Sequence, residues 1–178
     1  MDSQIKKIDL IANWMCAYQK EHDIKGWCLD NVTILYDIIK SSFKSLNPVF
    51  KNVVVSYIVN NTSYICEGHI VIQLDNGCLI DPSYEIAKHK ESSYLDNFET
   101  FREMVKCNDA VKPLMNRIEK EFNRFKGYAK KMNNGDFVVS SDTYHTNLVK
   151  YLLDKSIIRM PKNDLEHLNY VTNIETTS

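Results

Sequence analysis

Three residues of this 178-residue chain, Cys28, His69 and Asp81, have the types and order that nucleophilic chemistry needs. A thiol attacks as its thiolate, and the unpaired N–H groups and dipole of a helix N-terminus stabilise that charge. Cys28 opens a stretch of helical periodicity and so stands where that help is available. A cysteine nucleophile also needs a base within hydrogen-bond reach, and the base needs an acceptor that orients it. His69 and Asp81 fill those two roles if the fold brings them to one face. The backbone N–H of Cys28 can serve a developing oxyanion. Gln19, His22 and Trp27 are the nearby candidates for a second donor or for the substrate pocket.

The elements that must position His69 and Asp81 form a hairpin. Tyr64–Leu74 is rich in β-branched and aromatic residues, and after Asp75-Asn76-Gly77 comes a second apolar run, Cys78–Ile80, stopped by Pro82. Side chains alternate between the faces of a sheet, so the loop length decides what the hairpin can do. A two-residue Asn-Gly turn pairs Asp75 with Cys78 and puts His69 and Asp81 on opposite faces. A three-residue loop with Gly77 in the left-handed conformation pairs Leu74 with Cys78 and Val71 with Asp81. His69 and Asp81 are then diagonal neighbours on one face with Val71, Gln73 and Leu79, while Ile70, Ile72, Leu74, Cys78 and Ile80 make a core face. The catalytic reading requires the odd-numbered loop.

Around this hairpin the pattern predicts a helix from Ser3 to about His22, with Ile5, Ile8, Ile11, Ala12, Met15 and Tyr18 as the stripe that packs on the sheet. A second helix is predicted from Cys28 to about Phe43, buried on one side through Leu29, Val32, Leu35, Tyr36, Ile39 and Phe43. Residues 52–59 read as a central strand, giving three antiparallel strands at about 52–59, 63–74 and 78–82. Helices are expected over Leu95–Lys106 and Lys112–Met132, the latter with Pro113 in its first turn. A short strand is expected over Phe137–Ser140, then a last helix capped by Asp142 through about Leu153. The fold class is α+β. One domain is expected: a core over residues 1–85, a helical extension over 86–160 and a polar, mobile tail over 161–178.

Composition narrows the function classes. With 22 Lys+Arg against 23 Asp+Glu the net charge is −1, which suggests no polyanion-binding surface, so nucleic acid is not expected as a partner. Five cysteines without CxxC spacing fit reduced thiols better than disulfides or zinc, and point to a cytoplasmic protein. No leader pattern and no apolar run of spanning length is visible, so no membrane association is expected. Asn60-Asn61-Thr62 reads as turn chemistry rather than as a glycosylation acceptor.

GWC at residues 26–28, an apolar strand, and GHIVIQLDNGCLIDPS at residues 68–83 together resemble the core of the transglutaminase-like branch of the papain-like cysteine protease superfamily. That resemblance rests on the order Cys28, His69, Asp81, Pro82, Ser83, with separations similar to those of compact members. It covers roughly residues 24–85. It implies N-terminal helices packed on a small antiparallel sheet and a thioester on Cys28 of a peptide or amide substrate, resolved by water in a peptidase or amidase, the default here, or by an amine in a transamidase; no cofactor or metal is expected. Arylamine N-acetyltransferases are similar in the same Cys, His, Asp order, although this chain lacks their paired glycines ahead of the cysteine.

Other readings accompany these. The chain could be a non-catalytic interaction module on the same fold, using its helical C-terminal half, or an acyltransferase with a small thioester donor. Cys66, three residues from His69, falls on the opposite strand face, which disfavours it as nucleophile and disfavours a zinc site of Cys66, His69 and Cys78. Cys16 and Cys78 are read as inert core thiols. His145 is explained as a first-turn residue behind an Asp142 cap, and His22 as a charge at a helix C-terminus.

Overall fold

The computed structural model describes residues 3–89, 91–136 and 142–159. The fold is α+β, with a four-stranded antiparallel sheet and six helices among the described residues. Helices α1 (Ser3–Glu21) and α2 (Cys28–Ser42) lead through a single 3-10 turn, Lys44–Leu46, into strand β1 (Val49–Val59). Strands β2 (Ser63–Gln73) and β3 (Leu79–Ile80) follow, then helix α3 (Tyr84–Ala87), strand β4 (Ser93–Leu95), and helices α4 (Phe98–Val105), α5 (Met115–Asn133) and α6 (Asp142–Asp154). The strand order is β3-β2-β1-β4. No helix among the described residues is long and apolar enough to cross a membrane.

The turns hold the sheet's register. Between β1 and β2, Asn60 and Asn61 both take left-handed backbone (φ 55° and 60°), which asparagine tolerates. Between β2 and β3 the loop has three residues. Gly77 is left-handed (φ 83°), its N–H bonds the Leu74 carbonyl at 2.9 Å, and Leu74 N–H bonds the Cys78 carbonyl at 2.9 Å. Asp75 is pinned from outside, its carboxylate accepting from the Asn47 side chain at 2.8 Å and its N–H bonding the Leu46 carbonyl at 3.1 Å.

Both faces of the sheet are covered. Val54, Cys66, Ile70 and Ile72 line the face toward α5, where Phe122 and Phe125 contribute to the core. α5 crosses Gly68 so closely that a Cβ there would lie 2.6 Å from Glu121 Cβ and 2.8 Å from Phe122 N. The helix ends in a Schellman motif: Gly135 (φ 93°) N–H bonds Met132 O and Asp136 N–H bonds Lys131 O, both at 3.0 Å. The Asn133 side chain then grips β1, accepting from Phe50 N at 2.8 Å and donating to Phe50 O at 3.0 Å. The opposite face, expected to be the polar one, is buried too, with Val53, Val55 and Val71 wholly covered.

Several expectations need correction. α2 is buried around most of its circumference, Asp30, Asn31, Thr33 and Asp37 included, because α1, α6 and the sheet all pack on it. α1 buries its predicted stripe, yet packs chiefly on α2, α3 and α6 rather than on the sheet. The sheet has a fourth strand, β4, and the helix expected from Leu95 begins at Phe98, where Asn97 caps it by accepting from Thr100 N at 3.0 Å. Pro113 lies in a 3-10 turn, Lys112–Leu114, that precedes α5. The strand expected over Phe137–Ser140, the side chain of Asp142 and the tail from Pro161 lie outside the described residues.

Candidate active site

The three-residue loop determines which side chains share a face. β2 and β3 pair Ile72 with Ile80 and Gln73 with Leu79, so the continuing register sets Val71 opposite Asp81 and leaves His69 and Asp81 on one side. His69 Nε2 lies 3.0 Å from Asp81 Oδ2 and 3.1 Å from Oδ1. The pair is shielded, with side-chain exposures of 3% for His69 and 7% for Asp81.

Cys28 is the first residue of α2, behind a Trp27 that provides no side-chain cap. The N–H groups of a helix's first turn have no acceptor within the helix, and Trp27 supplies none from its side chain. The Cys28 side chain lies near enough to His69 to help raise the pKa of its ring. With Nε2 taken by Asp81, Nδ1 is the ring nitrogen that remains for another partner. Burial alone would favour the neutral imidazole, but the charge and hydrogen bonding of Asp81, with a further contribution from Cys28, hold the His69 pKa well above the ordinary histidine value. Cys28 is half-buried, whereas His69 is buried.

A polar network fixes these parts relative to one another. Ser83 N–H bonds Asp81 Oδ1 at 3.0 Å, and the Tyr94 hydroxyl donates to Asp81 Oδ2 at 2.7 Å. Asn31, one helical turn beyond Cys28, donates to Gln19 Oε1 at 3.2 Å and to Ser83 Oγ at 3.3 Å. Gln19 in turn donates to Pro82 O at 2.6 Å and accepts from Tyr84 N at 3.0 Å. The first turn of α2 and the loop carrying Asp81 are thus tied through buried amides, which lose rotational freedom only because every partner is present.

The amide of Gln19, a candidate for the oxyanion or substrate pocket, donates to Met15 O at 3.1 Å and to Pro82 O at 2.6 Å. His22 is exposed, with Nδ1 3.0 Å from Tyr18 O and its ring stacked on Tyr18. Trp27 leans its ring on Tyr144 of α6, 5.0 Å between centroids. Cys66 is on the face away from His69, where Ser56 Oγ reaches it at 3.5 Å and burial pushes its thiol pKa up. Burial pushes Cys78 up as well, and burial with the Asp81 charge pushes Cys16 up to about 12. Among the described residues, no group of three His, Cys, Asp or Glu side chains could hold a metal ion.

Sequence reasoning missed Tyr94, because a three-residue strand shows no readable alternation. It also missed the partner of His145, which is Asp30 of α2: His145 Nε2 lies 2.7 Å from Asp30 Oδ1. Neighbouring Tyr144 donates to Asn31 Oδ1 and so joins α6 to the same network. A thiol at a helix N-terminus, an imidazole against it and a carboxylate behind the imidazole can together form a nucleophile, shuttle its proton and orient the shuttle. No family model matches the chain, and no curated protein or solved structure matches it.

Proposed function

We propose that this chain is a cysteine-dependent acyl-transfer enzyme of the transglutaminase-like, papain-like kind, acting on a peptide or amide carbonyl. The observation that carries the reading is a half-buried Cys28 at the first residue of α2, near enough to act on buried His69, whose Nε2 lies 3.0 Å from Asp81 Oδ2. The Cys28 proton passes to His69 and the sulfur attacks the carbonyl carbon, forming a C–S bond while the carbonyl electron pair moves onto oxygen. The Cys28 N–H, at the first residue of α2, is the donor assigned to that oxyanion. Collapse breaks the C–N bond, and His69 gives its proton to the departing amine. Water, deprotonated by His69, then attacks the thioester and releases a carboxylic acid and the thiol.

Two measurements test this. Iodoacetamide alkylation, followed residue by residue by mass spectrometry, is expected at Cys28 well below the pH at which a free thiol of pKa ~8.5 reacts. Cys16, Cys66 and Cys78 should lag. p-Nitrophenyl acetate should give a burst of nitrophenol and an acetyl adduct on Cys28, both abolished by Cys28→Ala. Uniformly sluggish thiols with no adduct would refute the reading and favour an interaction module. An adduct formed from acetyl-CoA but not from the ester would favour a small thioester donor.

A further inference from the structure

The carboxylate behind His69 has an unexpected partner. Tyr94 sits on β4, at the opposite end of the strand order from β3. It pairs with Val55, which pairs with Glu67, so Tyr94 shares the sheet face that carries Glu67 and His69. Its hydroxyl reaches across that face to Asp81 Oδ2 at 2.7 Å, the oxygen that also lies 3.0 Å from His69 Nε2. Asp81 Oδ1 is held separately by Ser83 N–H at 3.0 Å. Two donors outside the catalytic line therefore fix the rotation of one carboxylate, and only Tyr94 binds the oxygen nearest the imidazole.

We propose that Tyr94 is a positioning residue of the site, the fourth member of a line Cys28, His69, Asp81, Tyr94. The proposal rests on the reading of Cys28 as the nucleophile. A hydroxyl that donates to a carboxylate draws charge away from it, and so weakens that carboxylate's hold on an imidazolium. Tyr94 thereby tempers how firmly Asp81 keeps His69 protonated, and it holds Oδ2 in line with the ring. Burial, then the Asp81 charge and hydrogen bond, push the Tyr94 phenol far above its ordinary range, so it acts as a donor throughout the working pH.

The test is the pH profile of iodoacetamide alkylation at Cys28 in the full-length protein. In the wild type, the upper step of the profile reports loss of the His69 proton. Tyr94→Phe keeps the ring and removes the donor, and the upper midpoint should rise by ~0.5 unit or more. In an Asp81→Asn background the same substitution should move the midpoint by much less, because the hydroxyl acts through the carboxylate. If Tyr94→Phe folds poorly, 3-fluorotyrosine at position 94 keeps the hydroxyl as a stronger donor and should shift the midpoint downward. A midpoint that stays in place, moves the wrong way, or shifts equally with and without the Asp81 carboxylate would overturn the role. A wild type lacking low-pH reactivity at Cys28 would instead remove the underlying reading of the site, so the two failures are distinguishable.

Discussion

Two buried His–Asp pairs meet at α2, and their surroundings differ. His69 and Asp81 lie 3.0 Å apart at their closest oxygen, and His145 and Asp30 lie 2.7 Å apart. Both are almost wholly shielded from solvent. The first pair joins β2 to the loop after β3 and has the half-buried Cys28 beside it. The second joins α6 to the first turn of α2, with side-chain exposures of 0% and 2%, and backs the helix that presents the thiol. The same two side chains can thus be chemistry or scaffolding. Burial and pairing alone do not separate them; on the proposed mechanism the neighbouring half-buried thiol does.

Substitutions at the two histidines should separate the roles. His69→Asn removes the base, so turnover of p-nitrophenyl acetate should fall by roughly 10^3-fold or more. Cys28 alkylation should then follow an ordinary thiol. Removing one partner of a buried pair costs about 3–5 kcal/mol. His145→Ala should therefore lower unfolding stability in urea by about that much, with the Cys28 alkylation midpoint kept in the protein that remains folded. Loss of the low-pH reactivity in His145→Ala would break the comparison, because α6 would then belong to the chemistry. Gly68→Ala is the next smaller effect. Its Cβ would meet the α5 backbone at 2.7–2.8 Å, so the helix must shift, at about 1–3 kcal/mol.

The first pair was legible in the sequence and the second was not. His69 and Asp81 lie 12 residues apart across a loop for which Asp75-Asn76-Gly77 left two lengths, so the sequence narrowed the register to two parities, one of which sets the pair on one face. His145 and Asp30 lie 115 residues apart, and local pattern does not report which helices pack together. Asp30 reads as an ordinary acidic residue in a first turn, and its burial follows only from α6 covering α2. Tyr94 was hidden differently. Its strand pairs through three residues, Ser93, Tyr94 and Leu95, too few for alternation to stand out from the helical pattern that follows. The all-round burial of α2 was obscured because Asp30, Asn31, Thr33 and Asp37 look like a solvent face until the partners that surround them are known.

The smallest expected effect concerns pH, and it requires removing the thiol. The folded-state pKa of His69 is raised well above its ordinary value by Asp81 and Cys28, against burial that would lower it. A group raised on folding contributes stability that is fully present below its unfolded pKa, ~6.5 for histidine, and that is lost as pH rises through the folded pKa. On the proposed mechanism the proton that His69 takes up comes from the thiol, so the intact site gains no net proton from that transfer. Cys28→Ala removes that source and leaves Asp81, whose charge and hydrogen bond oppose burial more strongly than Cys28 does. Urea unfolding of Cys28→Ala should therefore show stability falling as pH rises above ~6.5, at no more than about 1.4 kcal/mol per pH unit for one proton. Adding His69→Gln should flatten that slope. A Cys28→Ala protein as flat as the double variant would mean that Asp81 does not hold a proton on His69. The two His–Asp pairs would then differ only in where they sit.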